Sequence, residues 1–342
     1  MARIVTFGEL MLRLQPFDHE RFVQCNQVEF SFGGGEANVA VSLANYGMDA
    51  VFVSKLPTHF IGQAAVNSLR RYGVDTSHIL RGGDRIGIYY NEKGASQRGS
   101  VCQYDRAGSA IATASAEEFD WDAIFEGADW FHFTGITPAL SDSLAEICLA
   151  ACIAAKKRGI RISCDLNYRG KLWSREKAGR VMERLCAYVD LCIANEEDAK
   201  DVFGIEAPES NIEGGELSRE GYCTVARRLA ERFSFDTVAI TLRRSYSASR
   251  NGWGALLYLA GEDAVYFSRD YDLTIVDRVG GGDAFGGGLI YAELDGRAPK
   301  ERIEFAVAAS ALKHTIGGDF NMVTVAEVDR LAGGDGSGRI RR

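Results

Sequence analysis

Asp277-Arg278-Val279-Gly280-Gly281-Gly282-Asp283-Ala284-Phe285-Gly286-Gly287-Gly288 runs directly into Leu289-Ile290-Tyr291-Ala292, whose apolar spacing is helical. Glycines at the mouth of a helix let backbone N–H groups converge without Cβ obstruction, and the helix start adds positive potential. That is a cradle for an anion such as a phosphate or a phosphoryl group in transit. Asp283 at its mouth would repel a resident phosphate unless it had a task there. The task that suits it is accepting a proton from an attacking hydroxyl. Two other phosphate loops are excluded. Gly281 and Gly286 have the Walker A spacing, but Gly287-Gly288 stands where Lys and Ser/Thr are needed. Gly280-x-Gly282 opens a dinucleotide fingerprint that Phe285 breaks.

Outward from this loop, short apolar runs at 3–7, 50–54, 130–133, 161–165, 191–194 and 237–241 read as buried strands. Between them, 38–46, 61–72, 141–157, 175–188 and 221–232 carry apolar residues at three- and four-residue spacing and read as helices. This alternation predicts an α/β fold, a mostly parallel sheet covered by helices on both faces, with ligands at the carboxyl ends of the strands. Residues 10–32 and 86–106 lack a helical period and contain short alternating runs. They are expected to pair into a small β-sheet lid over the site. Residues 1–332 then form one domain, 206–220 a surface insertion with little structure, and 333–342 a flexible tail. A second glycine cluster, Gly33-Gly34-Gly35-Glu36-Ala37-Asn38, also opens a helix and suits close approach to the hydroxyls of a small polyol.

Composition narrows the function. The 342 residues carry a net charge of −8, which argues against a non-specific nucleic-acid or anionic-membrane binder. The run 147–155 is too short to span a bilayer, and the amino terminus enters a strand without a secretory h-region, so a cytoplasmic location is expected. The eight cysteines form no CxxC and the five histidines no HExxH, so reduced thiols and no protein-held transition metal are expected.

Gly33-Gly34-x-x-Ala37-Asn38 followed far downstream by Asp277-x-x-Gly280-x-Gly282-Asp283-x-Phe285 resembles the two signature regions of the ribokinase-like (PfkB) carbohydrate kinases. Order and spacing match over nearly the whole chain. The resemblance implies a ribokinase-like three-layer sandwich and ATP-dependent phosphorylation of a sugar hydroxyl. Asp283 would be the base, with the amides of Gly280, Gly281 and Gly282 as anion hole. Tyr104-Asp105-Arg106-Ala107-Gly108, Asp165-Leu166-Asn167-Tyr168-Arg169, Ala194-Asn195-Glu196-Glu197-Asp198 and Lys313-His314-Thr315 resemble one branch, the 2-keto-3-deoxygluconate kinases.

By that similarity, Gly34, Asn38, Tyr89, Tyr104, Arg106, Arg169, Asp283 and Asp319 surround the substrate. Asn195, the 241–244 turn with Thr241 and Arg243, Gly280, Gly282 and the helix around Ala308 surround ATP. Asp198 lies near the waters of Mg²⁺, which ATP and water hold more than the protein does. Arg278 stands where the family has Thr, leaving any monovalent-cation site beside Asp277 open. Gly281 stands where the family has Ala, an exchange expected to be harmless. Two arginines at the substrate end of an acidic protein favour a carboxylate-bearing sugar, which a guanidinium can fork. The expected reaction is therefore phosphorylation of the primary hydroxyl of 2-keto-3-deoxygluconate. A neutral-sugar kinase such as a fructokinase is the alternative within the family, and a non-catalytic sugar sensor the alternative outside it. The lid suggests a homo-oligomer formed through it.

Overall fold

The computed structural model describes residues 1–208 and 218–338. From the amino terminus, β1 (Arg3–Phe7) leads into the lid strands β2 (Met11–Pro16) and β3 (Val28–Gly33), then α1 (Gly35–Asn45). Next come β4 (Asp49–Leu56), α2 (Phe60–Arg70) and β5 (Ile79–Arg81), the lid strands β6 (Ile88–Glu92) and β7 (Val101–Asp105), and α3 (Trp121–Ile124). The alternating units β8 (Trp130–Thr134), α4 (Asp142–Lys157), β9 (Arg161–Asp165), α5 (Arg175–Cys186), β10 (Leu191–Ala194), α6 (Asp198–Phe203) and α7 (Arg219–Phe233) follow. Strands β11 (Thr237–Ser247), β12 (Arg250–Leu259), β13 (Ala264–Phe267) and β14 (Tyr271–Thr274) precede α8 (Gly281–Leu294), α9 (Pro299–Lys313) and α10 (Val325–Ala332).

The main sheet runs β13-β12-β11-β10-β9-β8-β1-β4-β5, with β14 also on β12. It is parallel from β11 to β5 and antiparallel beyond. Strand alternation sends successive side chains to opposite faces. Val5, Phe7, Val51 and Val53 join one core with α4, α5 and α7, while Ile4, Ala50 and Phe52 join another with α1, α8 and α9. Both faces are thereby covered, the three-layer arrangement expected of a parallel sheet. All eight cysteines are free, and Cys148, Cys152, Cys164, Cys186 and Cys192 are buried. Among the described residues, no helix is long and apolar enough to cross a membrane.

The lid is a separate sheet in the order β3-β2-β6-β7. Its registers align Arg13 with Tyr89 and Tyr89 with Tyr104, one row across three strands facing the main sheet. The opposite face carries Leu14, Phe30 and Tyr90 in the same manner.

Three sequence expectations are corrected. Residues 241–244 form no turn, because β11 continues to Ser247 and pairs with β12 through that stretch. The insertion expected at 206–220 ends earlier, since Ser218 caps α7 by accepting the N–H of Gly221. Positions 209–217 of it, and 339–342 of the expected tail, lie outside the described residues. The helix expected from residue 38 begins at Gly35, one turn sooner.

Candidate active site

The carboxyl ends of β9, β10 and β11, the lid row and the mouth of α8 enclose a cavity of about 400 Å³. Gly34, Asn38, Tyr89, Tyr104, Arg106, Arg169, Asn195, Asp198, Thr241, Arg243, Gly280, Gly281, Gly282, Asp283 and Asp319 all line it. Ala308 does not. It is fully buried in the core between α8 and the sheet, because α9 packs an alanine-rich face there, so its place beside ATP is corrected.

Gly280 caps α8 at φ 82°, in the left-handed region. A Cβ there would also lie 2.1 Å from the carbonyl oxygen of Asp319, which backbone cannot vacate, so both conformation and space require glycine. Gly281 is constrained as well. A Cβ would fall 2.4 Å from Cε1 of His314, whose ring is held by the Ser310 carbonyl and rests on Trp253. The exchange from the family's alanine is therefore not sterically neutral, as expected above, but matched to that ring.

Asp283 sits in the first turn of α8 and accepts a 2.6 Å hydrogen bond from Nδ2 of Asn38. The Gly34 N–H donates to Oδ1 of Asn38, which fixes which end of the amide meets the carboxylate. Asn38 thus holds Asp283 besides lining the cavity. Burial pushes the Asp283 carboxyl up to about 6, with Asp319 adding and the Asn38 bond, Arg169 and Lys313 opposing. A carboxylate near that value can take a proton close to neutral pH. Glu36, two residues before Asn38, anchors the start of α1 by accepting from the Thr134 N–H and the hydroxyls of Thr134 and Thr137.

The two arginines expected to face the substrate differ. Arg106 lines the cavity, but its Nε donates to Glu9 at 2.7 Å and its Nη2 bonds the same oxygen, so Glu9 meets its charge. Its expected role as a free carboxylate anchor is revised accordingly. Arg169 is exposed, and its Nη1 donates only to the Tyr168 carbonyl at 3.2 Å. No carboxylate among the described residues is ion-paired with it. Asn167, at φ 39°, turns the chain after β9 so that Arg169 reaches the cavity, and Asn tolerates that conformation better than most residues. Tyr104 stacks beneath Arg106, 5.4 Å from its guanidinium, and burial pushes its hydroxyl up to about 12.

Asp319 is buried. It accepts from the Tyr89 hydroxyl at 2.5 Å and from Arg13 at 2.7 Å. Tyr90, the next residue on β6, points to the opposite face and packs edge-on against Phe22. Asp277 takes another Arg13 nitrogen at 2.7 Å together with the N–H groups of Val279 and Gly318. Beside Asp277, the position left open for a monovalent cation, lies this guanidinium. Burial works to lower the Arg13 pKa, but Asp319, Tyr89 and Asp277 raise it further, so it stays charged.

On the other side of Asp283, Asn195 and Asp198 cap each other. Asn195 Oδ1 accepts the N–H groups of Glu197 and Asp198, while Asp198 accepts those of Asn195 and Tyr168. Burial, then Asp198 and Asp283, pushes the neighbouring Asp165 carboxyl well above the usual range. Arg13, Glu9, Glu36, Asp165 and Trp253 are site or support residues to which sequence reasoning gave no role. The legible signal was Arg13, a lone cation between Leu12 and Leu14 on an apolar strand.

Residues 1–323 match the pfkB family carbohydrate kinases. The chain belongs to the PfkB family of carbohydrate kinases. The kinase is 35% identical to a 2-dehydro-3-deoxygalactonokinase of Haloferax volcanii, over 98% of both chains. It is 28% identical to a 2-dehydro-3-deoxygluconokinase of Thermoproteus tenax, covering 93% of this chain and 90% of the relative. The crystal structure of a 2-dehydro-3-deoxygluconokinase from Thermotoga maritima superposes with a TM-score of 0.94 at 48% identity, covering 98% of the kinase and 100% of that chain. The family implies ATP as co-substrate of the kinase and a sugar as acceptor.

Proposed function

We propose that this kinase transfers the γ-phosphoryl group of ATP to the primary hydroxyl of 2-keto-3-deoxygluconate. The observation that carries the reading is the placement of Asp283. It lies in one cavity with the glycine amides of the α8 mouth and with Arg169, a cation ion-paired with no described carboxylate. Asp283 takes the hydroxyl proton, held toward it by Asn38. The amides of Gly280, Gly281 and Gly282 receive the charge that spreads over the transferred group. Arg169, with the Tyr104 hydroxyl, binds the sugar carboxylate, and Arg106 braces Tyr104 from above.

Mg²⁺ fits the donor set without a protein cage. No group of three or more metal-ligating side chains exists among the described residues, but Asp165 and Asp198 crowd like charges that a hydrated divalent ion would relieve. Bound there, Mg²⁺ would neutralise phosphate charge. We place the kinase in the cytoplasm, beside its ATP supply, and as a dimer whose copies cover the apolar outer face of the lid.

The test is an ADP-release assay run side by side on 2-keto-3-deoxygluconate, 2-keto-3-deoxygalactonate, fructose and ribose. Preference for the gluconate sustains the proposal. The galactonate is the second reading, favoured by the named activity of the Haloferax relative. The fructose arm matters because Glu9 already meets the charge of Arg106. Failure with every sugar would leave a sugar-binding protein without transfer activity.

A further inference from the structure

Arg278 stands two positions ahead of Gly280 and lines the same cavity. Its side chain is poorly provided for. Nη2 donates to Oδ1 of Asn251 at 3.1 Å, and Nε is buried with no partner among the described residues. No described carboxylate is ion-paired with it. The cation beside it, Arg243 on β11, is by contrast bonded to Glu196 at 3.0 Å. Two further donors around this wall lack partners among the described residues: Nε1 of Trp253, which lines the cavity, and Nδ2 of the fully buried Asn251. Burial and the like charge of Arg243 both depress the Arg278 pKa, and Glu196 opposes them.

A half-buried guanidinium whose Nε is buried and unbonded costs stability unless an anion completes it. The position says which anion. Its bond to Asn251 sets Arg278 on the β11–β12 wall of the cavity with Arg243 and Trp253, whereas Arg169 and Tyr104 line the cavity from the loop after β9 and from the lid. Arg278 therefore faces the part of the cavity beyond the transferred group, away from the sugar.

We propose that Arg278 binds the phosphate chain of the nucleotide at its β-phosphate. This rests on the reading of the α8 mouth as the receiver of the γ-phosphoryl group. In the transfer, the sugar oxygen forms a bond to the γ-phosphorus while its proton passes to Asp283. The bond from that phosphorus to the β–γ bridging oxygen breaks, its electron pair staying on the departing ADP. Arg278 meets the charge that gathers there, as a bidentate donor can.

The experiment is calorimetric binding of ATP, ADP and AMP to the full-length wild type, Arg278→Gln and Arg278→Lys, together with steady-state KM values for both substrates. Arg278→Gln should bind ATP and ADP at least about tenfold more weakly, AMP within about threefold of wild type, with sugar KM unchanged. Arg278→Lys should recover part of the loss, and it serves alone if the Gln variant does not fold. Unchanged ADP affinity, an equal loss for AMP, or a shift confined to sugar KM would overturn the assignment. Because the ADP and AMP arms need no acceptor sugar, failure of the proposed sugar specificity would show in the kinetic assay and leave the binding result readable.

Discussion

Arg13 on lid strand β2 and Asp277 ahead of the α8 mouth are 264 residues apart in sequence and bonded at 2.7 Å. Arg13 is 1% exposed and reaches Asp319 with another nitrogen, so one guanidinium ties the lid to residues on both sides of the α8 mouth. Removing it leaves the buried Asp319 without an ion pair among the described residues and Asp277 with only the Lys93 ammonium at 4.0 Å. Arg13→Met should cost about 3–5 kcal/mol in urea unfolding. A loss below about 1 kcal/mol would mean that the pair is not the tie described.

Asp283→Asn should fold with an unchanged unfolding midpoint and bind both substrates, yet turn over at least about a hundredfold more slowly. Near-normal turnover would remove Asp283 from the chemistry. With the free carboxyl near 6, wild-type kcat/KM for the sugar should fall tenfold per pH unit below that value, as the base is protonated. The Asn variant should lose that limb.

Stability should slope the other way. Burial raises Glu36 from 4.5 to about 7 despite the hydroxyl and backbone donors of Thr134 and Thr137. The folded state then holds the Glu36 proton more tightly than the unfolded chain. Its contribution is full below about 4.5 and lost as pH rises through about 7. Glu36→Gln should be more stable than wild type at pH 8, on the order of 2 kcal/mol, and equal to it at pH 4. Equal midpoints at both pH values would refute the assignment.

Arg169 and Arg106 should separate in kinetics and stability. Arg169→Ala should raise sugar KM ten- to a hundredfold, with a smaller change for ATP and little change in unfolding. Arg106→Ala strands the buried Glu9, so its main effect should be a lowered unfolding midpoint. If Arg106→Ala raised sugar KM more than Arg169→Ala did, the carboxylate would have been assigned to the wrong guanidinium.

The loop glycines offer an internal contrast. Gly280→Ala meets the carbonyl of Asp319 and a left-handed backbone, and should cost about 2 kcal/mol or more. A Cβ on Gly282 has nothing within 4 Å, so Gly282→Ala should keep or slightly raise the unfolding midpoint. Thermal unfolding of both variants decides it.

A dimer formed over the lid should be broken by charge. Phe30 is 62% exposed on its outer face, and Phe30→Glu should convert a dimer to a monomer in light scattering. A wild type that is already monomeric would rule the dimer out.

Periodicity and the two glycine clusters were enough to determine the α/β class, the inserted lid, the helix mouth at residue 280 and the acid beside it, because these are local patterns that one segment carries alone. Pairing was not local. That Glu9 neutralises Arg106, that Arg13 joins Asp277 to Asp319, that His314 fills the space at Gly281 and that Ala308 turns into the core follow from segments many residues apart being brought together. The charge of an arginine is written in the chain, but whether it is free for a ligand depends on which carboxylate folding places within reach of it.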